Sequence, residues 1–261
     1  MIGLGYRQEL ASWIDSHPPE IDCLEITAEH FFKKSEGRLA ELSTRYRLFV
    51  HGLGLSLGTP GPLDASRLKA FADVAVASRA EWISEHVAFT RTSDMDLGHL
   101  NPVQPTRAMV EVIADHAREI ADCCQRPIIL ENITSHLRLS GELSETDFLN
   151  AICERANCGL LLDVTNLFIN SKNHRFDPLT WLDELDATRI VQLHIVGYSV
   201  ENGRYMDSHA QPIQSELLDL AAEILRKAPV RAVILERDAE FADHDALNGE
   251  LNKLTHLFAR N

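Results

Sequence analysis

The segment PIILENITSHLRLSGELSETDFLNAICERANCGLLLDV, residues 127–164, decides the fold. It begins and ends on short runs, PIILENI and CGLLLDV, that are apolar on both faces, as strands covered on both sides of a parallel sheet must be. Between them SETDFLNAICERA (144–156) spaces its apolar residues by three and four behind Ser144, a residue type that caps helix N-termini. The same alternation extends outward. Strand candidates precede it at MIGLGY (1–6), IDCLEIT (21–27), LFVHGLG (48–54) and WISEHVAF (82–89), and follow it at RIVQLHIVG (189–197) and RAVILERD (231–238). Helical periodicity fills the intervals at 64–80, 105–124, 214–227 and 244–260, with Asp64 and Asp243 as further caps. Eight strands, each followed by a helix, in 261 residues is the arithmetic of an α/β protein of the (β/α)8 TIM-barrel type. No Pro/Gly/Ser linker or charge block divides the chain, so residues 1–261 are expected to form a single barrel domain.

Composition excludes several classes of protein. With 45% hydrophobic residues spread along the whole length, disorder is disfavoured. Five cysteines, Cys23, Cys123, Cys124, Cys153 and Cys158, are too few and too irregular for a disulfide scaffold, form no CxxC pair, and read as reduced thiols. No apolar run approaches the roughly 18 residues of a membrane span, and MIGLGYRQEL lacks the features of a signal peptide, so the expected location is the cytoplasm, away from any membrane. Lys+Arg 25 against Asp+Glu 39 gives a formal charge of -14, which argues against a nucleic-acid partner.

In such a barrel the functional face is formed by the C-terminal strand ends and the loops after them. Reading only those ends yields His51, His86, Glu131, Asp163, Asn166, His194, Asp207, His209 and Glu236. Any one of them alone is more simply a hydrogen-bonded structural group. Together, four carboxylates brought to one mouth would repel unless cations neutralised them. Imidazole and carboxylate without thiolate suits Fe, Zn or Mn, and nine ligands exceed what one ion accepts. A carboxylate such as Glu131 can bridge two ions. Glu85, Asn132 and Arg237 adjoin these positions and are expected to orient ligands or pair in the core. Glu25 and Glu29 lie where they can face the mouth, His99 lies in a loop, and His30, His116, His136, His174, His244 and His256 read as solvated or structural. The glycines of HGLGLSLGTPG (51–61) match no phosphate-binding pattern and suggest a flexible loop over the mouth. No GxSxG elbow or Ser-His-Asp order is present.

In the order IGLGYRQEL, DCLEITAEHFF, HGLGLSLG, SEHVAF, LENI, LLDVTNLFIN, LHIVG, DSHAQP and LERD, the chain resembles the multinuclear non-heme iron-dependent oxidative enzymes, a family of xylose-isomerase-like TIM barrels. The resemblance spans nearly the whole chain. It implies one ion on Glu131, Asp163, His194 and Glu236, a second on His51, His86 and the shared Glu131, and a third on Asn166, Asp207 and His209, with Glu131, Asp163 and His194 at the heart of catalysis. It also implies two to three Fe ions in mixed Fe(II)/Fe(III) valence, dioxygen as co-substrate, a ribosomally made precursor peptide modified at cysteine, and a separate partner protein that recognises the leader, since no segment is left over for that task. Among products, the resemblance is nearest to β-carbon excision from a C-terminal cysteine in 3-thiaglutamate-type biosynthesis, with oxazolone–thioamide or thiooxazole formation as the alternatives. The layout is also similar to the three-zinc endonuclease IV proteins, whose histidine is replaced here by Asn166. A zinc or manganese phosphodiester hydrolase is therefore the main rival. A sugar isomerase lacks its expected lysine at any strand end, and a non-catalytic metal carrier would bind iron without consuming dioxygen.

Overall fold

A computed structural model describes residues 1–32, 36–92 and 94–260 of the chain. In chain order its strands are β1 (Ile2–Gly5), β2 (Cys23–Thr27), β3 (Arg47–His51), β4 (Ile83–His86), β5 (Phe89–Arg91), β6 (Asp96–Asn101), β7 (Ile128–Glu131), β8 (Gly159–Asp163), β9 (Ile190–Ile195), β10 (Gly197–Glu201), β11 (Arg204–Gln211) and β12 (Ala232–Leu235). Its helices are α1 (Ala11–Asp15), α2 (Glu36–Ser43), α3 (Ala65–Ala77), α4 (Arg107–Cys124), α5 (Glu145–Ala156), α6 (Val164–His174), α7 (Pro178–Glu184), α8 (Ser215–Lys227) and α9 (His244–Ala259). Eight strands close into a barrel in the order β1-β12-β9-β8-β7-β4-β3-β2, every neighbouring pair parallel. The expected (β/α)8 barrel is thus the observed fold. Among the described residues no helix is long and apolar enough to cross a membrane.

The helices start where the sequence places capping side chains. Asp64 accepts from the Ser66 and Arg67 amides, Ser144 from Asp147, and Asp243 from Ala246, each satisfying an amide that the first turn leaves unpaired. Asp163 does the same for α6 by accepting from Asn166 N at 2.6 Å, so β8 passes into a helix with no loop between them.

Two antiparallel hairpins, β5–β6 and β10–β11, leave the barrel at its C-terminal end. Sequence patterning predicts WISEHVAF and RIVQLHIVG as unbroken strands; the first instead ends at His86 before Phe89 opens β5, and the second ends at Ile195 before Gly197 opens β10. Gly197 is required at the second junction, because a Cβ there would lie 2.1 Å from Pro212 O and 2.4 Å from Gln211 O. The stretch after β3 also departs from expectation. It is pinned rather than free: Glu29 accepts from the Leu53 and Gly54 amides at 2.9 Å each, Glu85 Oε1 accepts from Leu55 N at 2.7 Å, and both His116 nitrogens lie 2.8 Å from carbonyls of Leu57 and Gly61.

Inside the barrel the two-residue period of the strands sorts side chains into layers. Cys23, Phe49, Trp82, Ile129, Leu161 and Ala232 pack together as a plug, with Phe49 and Trp82 stacked at 3.9 Å between ring centroids. Two positions further along the same strands stand Glu25, His51, Ser84, Glu131, Asp163 and Ile234, all buried. Beside this layer Arg237 ties the end of β12 to α9 through Glu250 and donates to Ala210 O at 2.8 Å, while Glu250 accepts from Ile213 N at 2.6 Å. Replacing Glu250 with Ala strands the buried Arg237 guanidinium. The expected cost is about 3–5 kcal/mol, read as a lower urea midpoint at unchanged slope.

Candidate metal centre

The carboxyl end of β7 sets the centre. Glu131, its last residue, is buried, with Oε2 lying 3.4 Å from His51 Nε2 and 3.3 Å from His86 Nε2. Its other oxygen, Oε1, lies 3.3 Å from His194 Nδ1. One carboxylate thus faces imidazoles from β3, β4 and β9. Among the described residues two groups of candidate ligand atoms result, His51/His86/Glu131 and Glu131/Asp163/His194/Glu236, each with its atoms within 4.8 Å of one another. Glu131 belongs to both.

Each imidazole is oriented from behind. His51 Nδ1 lies 2.8 Å from Ser84 Oγ, and His86 Nδ1 lies 3.3 Å from Glu85 Oε2. His194 Nε2 lies 2.6 Å from Glu25 Oε1, leaving Nδ1 to face Glu131 and, at 3.0 Å, Glu236 Oε2. Asn132 brackets the end of β8, its Oδ1 accepting from Asp163 N at 2.8 Å and its Nδ2 donating to Asp163 O at 3.1 Å. Glu85 and Asn132 thus support the centre from outside it. Glu25 does face the barrel interior, whereas Glu29 braces the loop after β3.

The third expected group is brought near the same mouth but arranged differently. Asp207 and His209 lie on β11, with His209 Nε2 2.8 Å from Asp207 Oδ1 and His209 held at φ +49. Asn166 already has a partner at each end of its amide: its oxygen accepts from Thr134 Oγ1, and its nitrogen donates to Asn132 O at 3.1 Å. Asp238, absent from the ligands expected from sequence, lies 3.2 Å from His209 Nδ1 and is held by Arg7 at 2.5 Å. Its place in LERD, two residues after Glu236, was the available signal. Of the remaining histidines, His99 Nδ1 lies 2.7 Å from Leu97 O in an exposed hairpin, His174 Nε2 lies 2.7 Å from Ser135 O, and His244 stacks on Trp13.

Charge is balanced across the buried groups. Burial opposes ionisation of Glu131 and Glu236, yet the facing imidazoles, His194 foremost, hold both carboxyls below the usual range. Asp163 goes the other way, pushed well up by burial and by Glu131. Burial lowers His51, whereas His86 is carried to about 9 by Glu131 and Glu85 in spite of burial. His194 is raised well above its ordinary value by Glu25, Glu236 and Glu131, again against burial. Among the atoms of these two clusters, four buried ones have no hydrogen-bond partner: His51 Nε2, Glu131 Oε2, Asp163 Oδ2 and His194 Nδ1. They face one another across the two clusters.

The sequence profile of the family described as "RiPP precursor modification enzyme MbnB/TglH/ChrH" matches residues 1–259. Among curated proteins, the UPF0276 protein of Shewanella oneidensis is 33% identical over 271 residues, covering 100% of this chain and 95% of its own. The UPF0276 protein of Bordetella pertussis is 31% identical over 267 residues, covering 99% and 92%. Similar solved structures include endonuclease IV from Thermus thermophilus (TM-score 0.65, 14% identity, 100% and 99% covered) and the IOLI protein with a binding zinc atom (TM-score 0.62, 14% identity, 99% and 98% covered). D-psicose 3-epimerase with D-fructose gives a TM-score of 0.61 at 15% identity, covering 98% and 97%. At these identities the structural likeness establishes the barrel fold alone.

Protons and cations compete for the same lone pairs, which makes the stripped protein sensitive to pH. Glu131 and Glu85 raise the His86 pKa from an ordinary 6.5 to about 9 in the fold, so its stabilising share is complete below pH 6.5 and is lost as pH rises through 9. Chelator-treated protein is therefore expected to show a falling Tm between pH 6.5 and 9 by calorimetry. The fall should be smaller in His86→Gln.

Proposed function

The chain belongs to the MbnB/TglH/ChrH family of RiPP precursor modification enzymes, and from that membership we propose that it carries out iron- and dioxygen-dependent oxidation of a cysteine in a ribosomally synthesised precursor peptide. The observation that carries this reading is the convergence of four buried, unpartnered atoms, His51 Nε2, Glu131 Oε2, Asp163 Oδ2 and His194 Nδ1. Buried polar atoms normally have partners, and a divalent cation supplies what all four lack. Under the proposal Glu131, Asp163, His194 and Glu236 hold one ion, and His51, His86 and the shared Glu131 hold a second. Asn166, Asp207 and His209 are assigned to a third, which requires the Asn166 amide to exchange Thr134 for the ion. The nitrogen and oxygen donor set suits Fe, Zn or Mn, and the family's peptide chemistry favours iron among them. Bound there, iron would offer a position for the substrate thiolate and would activate dioxygen, the oxidant, with the cysteine being oxidised as the source of the electrons.

The chain's own residues then supply geometry. The two oxygens of Glu131 fix the spacing of the ligand clusters, Asp163 is held by its cap on α6 and by Asn132, and Glu25 turns the His194 ring. A cavity of about 450 Å³ opens above Glu131 and Glu236 and is lined by Arg7, Thr27, His30, Leu100 and Phe241 among others. Its size suits the end of a peptide chain. Arg7 is the one guanidinium among the lining residues, and exchange of its partner Asp238 for a terminal carboxylate supports the finer reading, β-carbon excision from a C-terminal cysteine as in 3-thiaglutamate biosynthesis. The proposal includes a separate leader-recognising protein. It also places the enzyme in the cytoplasm, a reading supported by five free cysteines.

Protein purified without oxygen or added metal is expected to carry two to three irons per chain by elemental analysis, and to consume dioxygen when given a thiol peptide. Glu131→Ala is expected to empty both clusters at once. Full iron content in that variant would contradict the shared carboxylate, and stoichiometric zinc or manganese with little iron in the parent protein would move a phosphodiester hydrolase to first place.

A further inference from the structure

Beneath the candidate ligand atoms lie three polar side chains that belong to neither ligand group: Glu25 on β2, Gln192 on β9 and Trp82 just before β4, all buried. Their hydrogen bonds run in one direction only. The Trp82 indole is a donor and nothing else, and its Nε1 lies 2.7 Å from Gln192 Oε1. That contact fixes which end of the Gln192 amide is which. The amide nitrogen is turned the other way, 2.5 Å from Glu25 Oε2 and 3.1 Å from His194 Nε2. Glu25 Oε1 lies 2.6 Å from the same ring nitrogen, a separation that needs one proton between the two atoms. With the proton on Nε2, Glu25 accepts at both oxygens, from Gln192 and from the ring, and the Gln192 nitrogen lies beside Nε2 without donating to it.

We propose that Trp82, Gln192 and Glu25 form a directional hydrogen-bond relay that holds the His194 ring with Nε2–H turned into the barrel, so that Nδ1 is the atom offered to the metal. The inference rests on the metal-centre reading above and names the residues that select the ligand atom. The three are positioning residues. Nδ1 faces Glu131 Oε1 and Glu236 Oε2 and has no hydrogen-bond partner of its own. An imidazole that carried its proton on Nδ1 would offer no lone pair there. Purely apolar packing would fill the same space without ordering the ring. The donor-only indole distinguishes this arrangement from a generic buried polar cluster, because it still fixes the Gln192 amide when residue 25 is changed to a side chain that could meet either end of it.

The relay makes an unusual prediction for a double variant. In Glu25→Gln, residue 25 must accept from Gln192 with its oxygen and therefore presents its NH2 to His194 Nε2, which is forced to accept; the proton moves to Nδ1. Zinc binding at this site by the full chain is expected to weaken by roughly 10–100-fold, the usual effect of losing a partner behind a metal ligand. Adding Trp82→Phe releases the Gln192 amide, which can then turn over, let residue 25 reverse as well, and return the proton to Nε2. The double variant Trp82→Phe/Glu25→Gln is thus expected to bind zinc more tightly than Glu25→Gln alone, a coupling that independent packing losses would not produce. Equal or weaker binding by the double variant overturns the relay, as does unchanged binding by Glu25→Gln. Should the Glu25 variants fail to fold, nitrogen-15 histidine NMR of the zinc-loaded parent decides the matter: a His194 ring proton on Nε2 is expected, and one on Nδ1 overturns the inference. Failure of the parent protein to bind zinc at all would instead overturn the metal reading on which the relay rests.

Discussion

The carboxylate of Glu131 is the group on which the mouth of this barrel depends. Buried at 2% exposure, it places one oxygen between two imidazoles and the other against a third. A buried anion is costly unless it is compensated by opposite charge and hydrogen bonds, and removing its partners would cost far more than surface pairs contribute. Protonated imidazoles can balance it, as the raised pKa values of His86 and His194 indicate. A divalent cation balances it better, since it also engages the lone pairs that no hydrogen bond reaches.

The geometry that brings these groups together is a direct consequence of strand pleating. Inward positions recur every second residue, so the apolar plug of Cys23, Phe49, Ile129 and Leu161 lies two residues before Glu25, His51, Glu131 and Asp163. The plug excludes water from below and leaves the polar layer in a low-dielectric setting, where ionic and hydrogen-bonded contacts are strongest. Stability and candidate site are therefore built from the same strands, with apolar packing at one end of each and buried imidazoles and carboxylates at the other.

The hairpins supply what the barrel cannot. Asp207 and His209 come from β11, an excursion closed by Gly197 and braced from below by the buried Arg237–Glu250 pair. This second source of side chains explains why the third group differs in character from the first two. His51, His86, Glu131, Asp163 and His194 sit on or at the ends of closed-barrel strands, whereas the hairpin residues are partly exposed and lean on Arg7, Asp238 and one another.

The eight-fold alternation, the helix caps and the residues at the strand ends are all legible in the chain, because each depends on short-range periodicity or on a single amide near a capping side chain. Glu85, Asn132 and Arg237 were also legible as supporting residues, since pleating turns the neighbour of an inward ligand elsewhere. Tertiary structure alone decided the rest. β5–β6 and β10–β11 leave no clear mark in the sequence because short, half-exposed strands carry little hydrophobic pattern. The loop after β3 looked free, since its glycines gave no sign that Glu29, Glu85 and His116, all distant in sequence, would hold its backbone. Gln192 shares the face of His194 by the same two-residue period that revealed the ligands, yet its role depends on Trp82, 110 positions away. A hydrogen bond's direction is fixed by which donor arrives at which acceptor, and only closure of the barrel brings an indole from one strand to an amide on another.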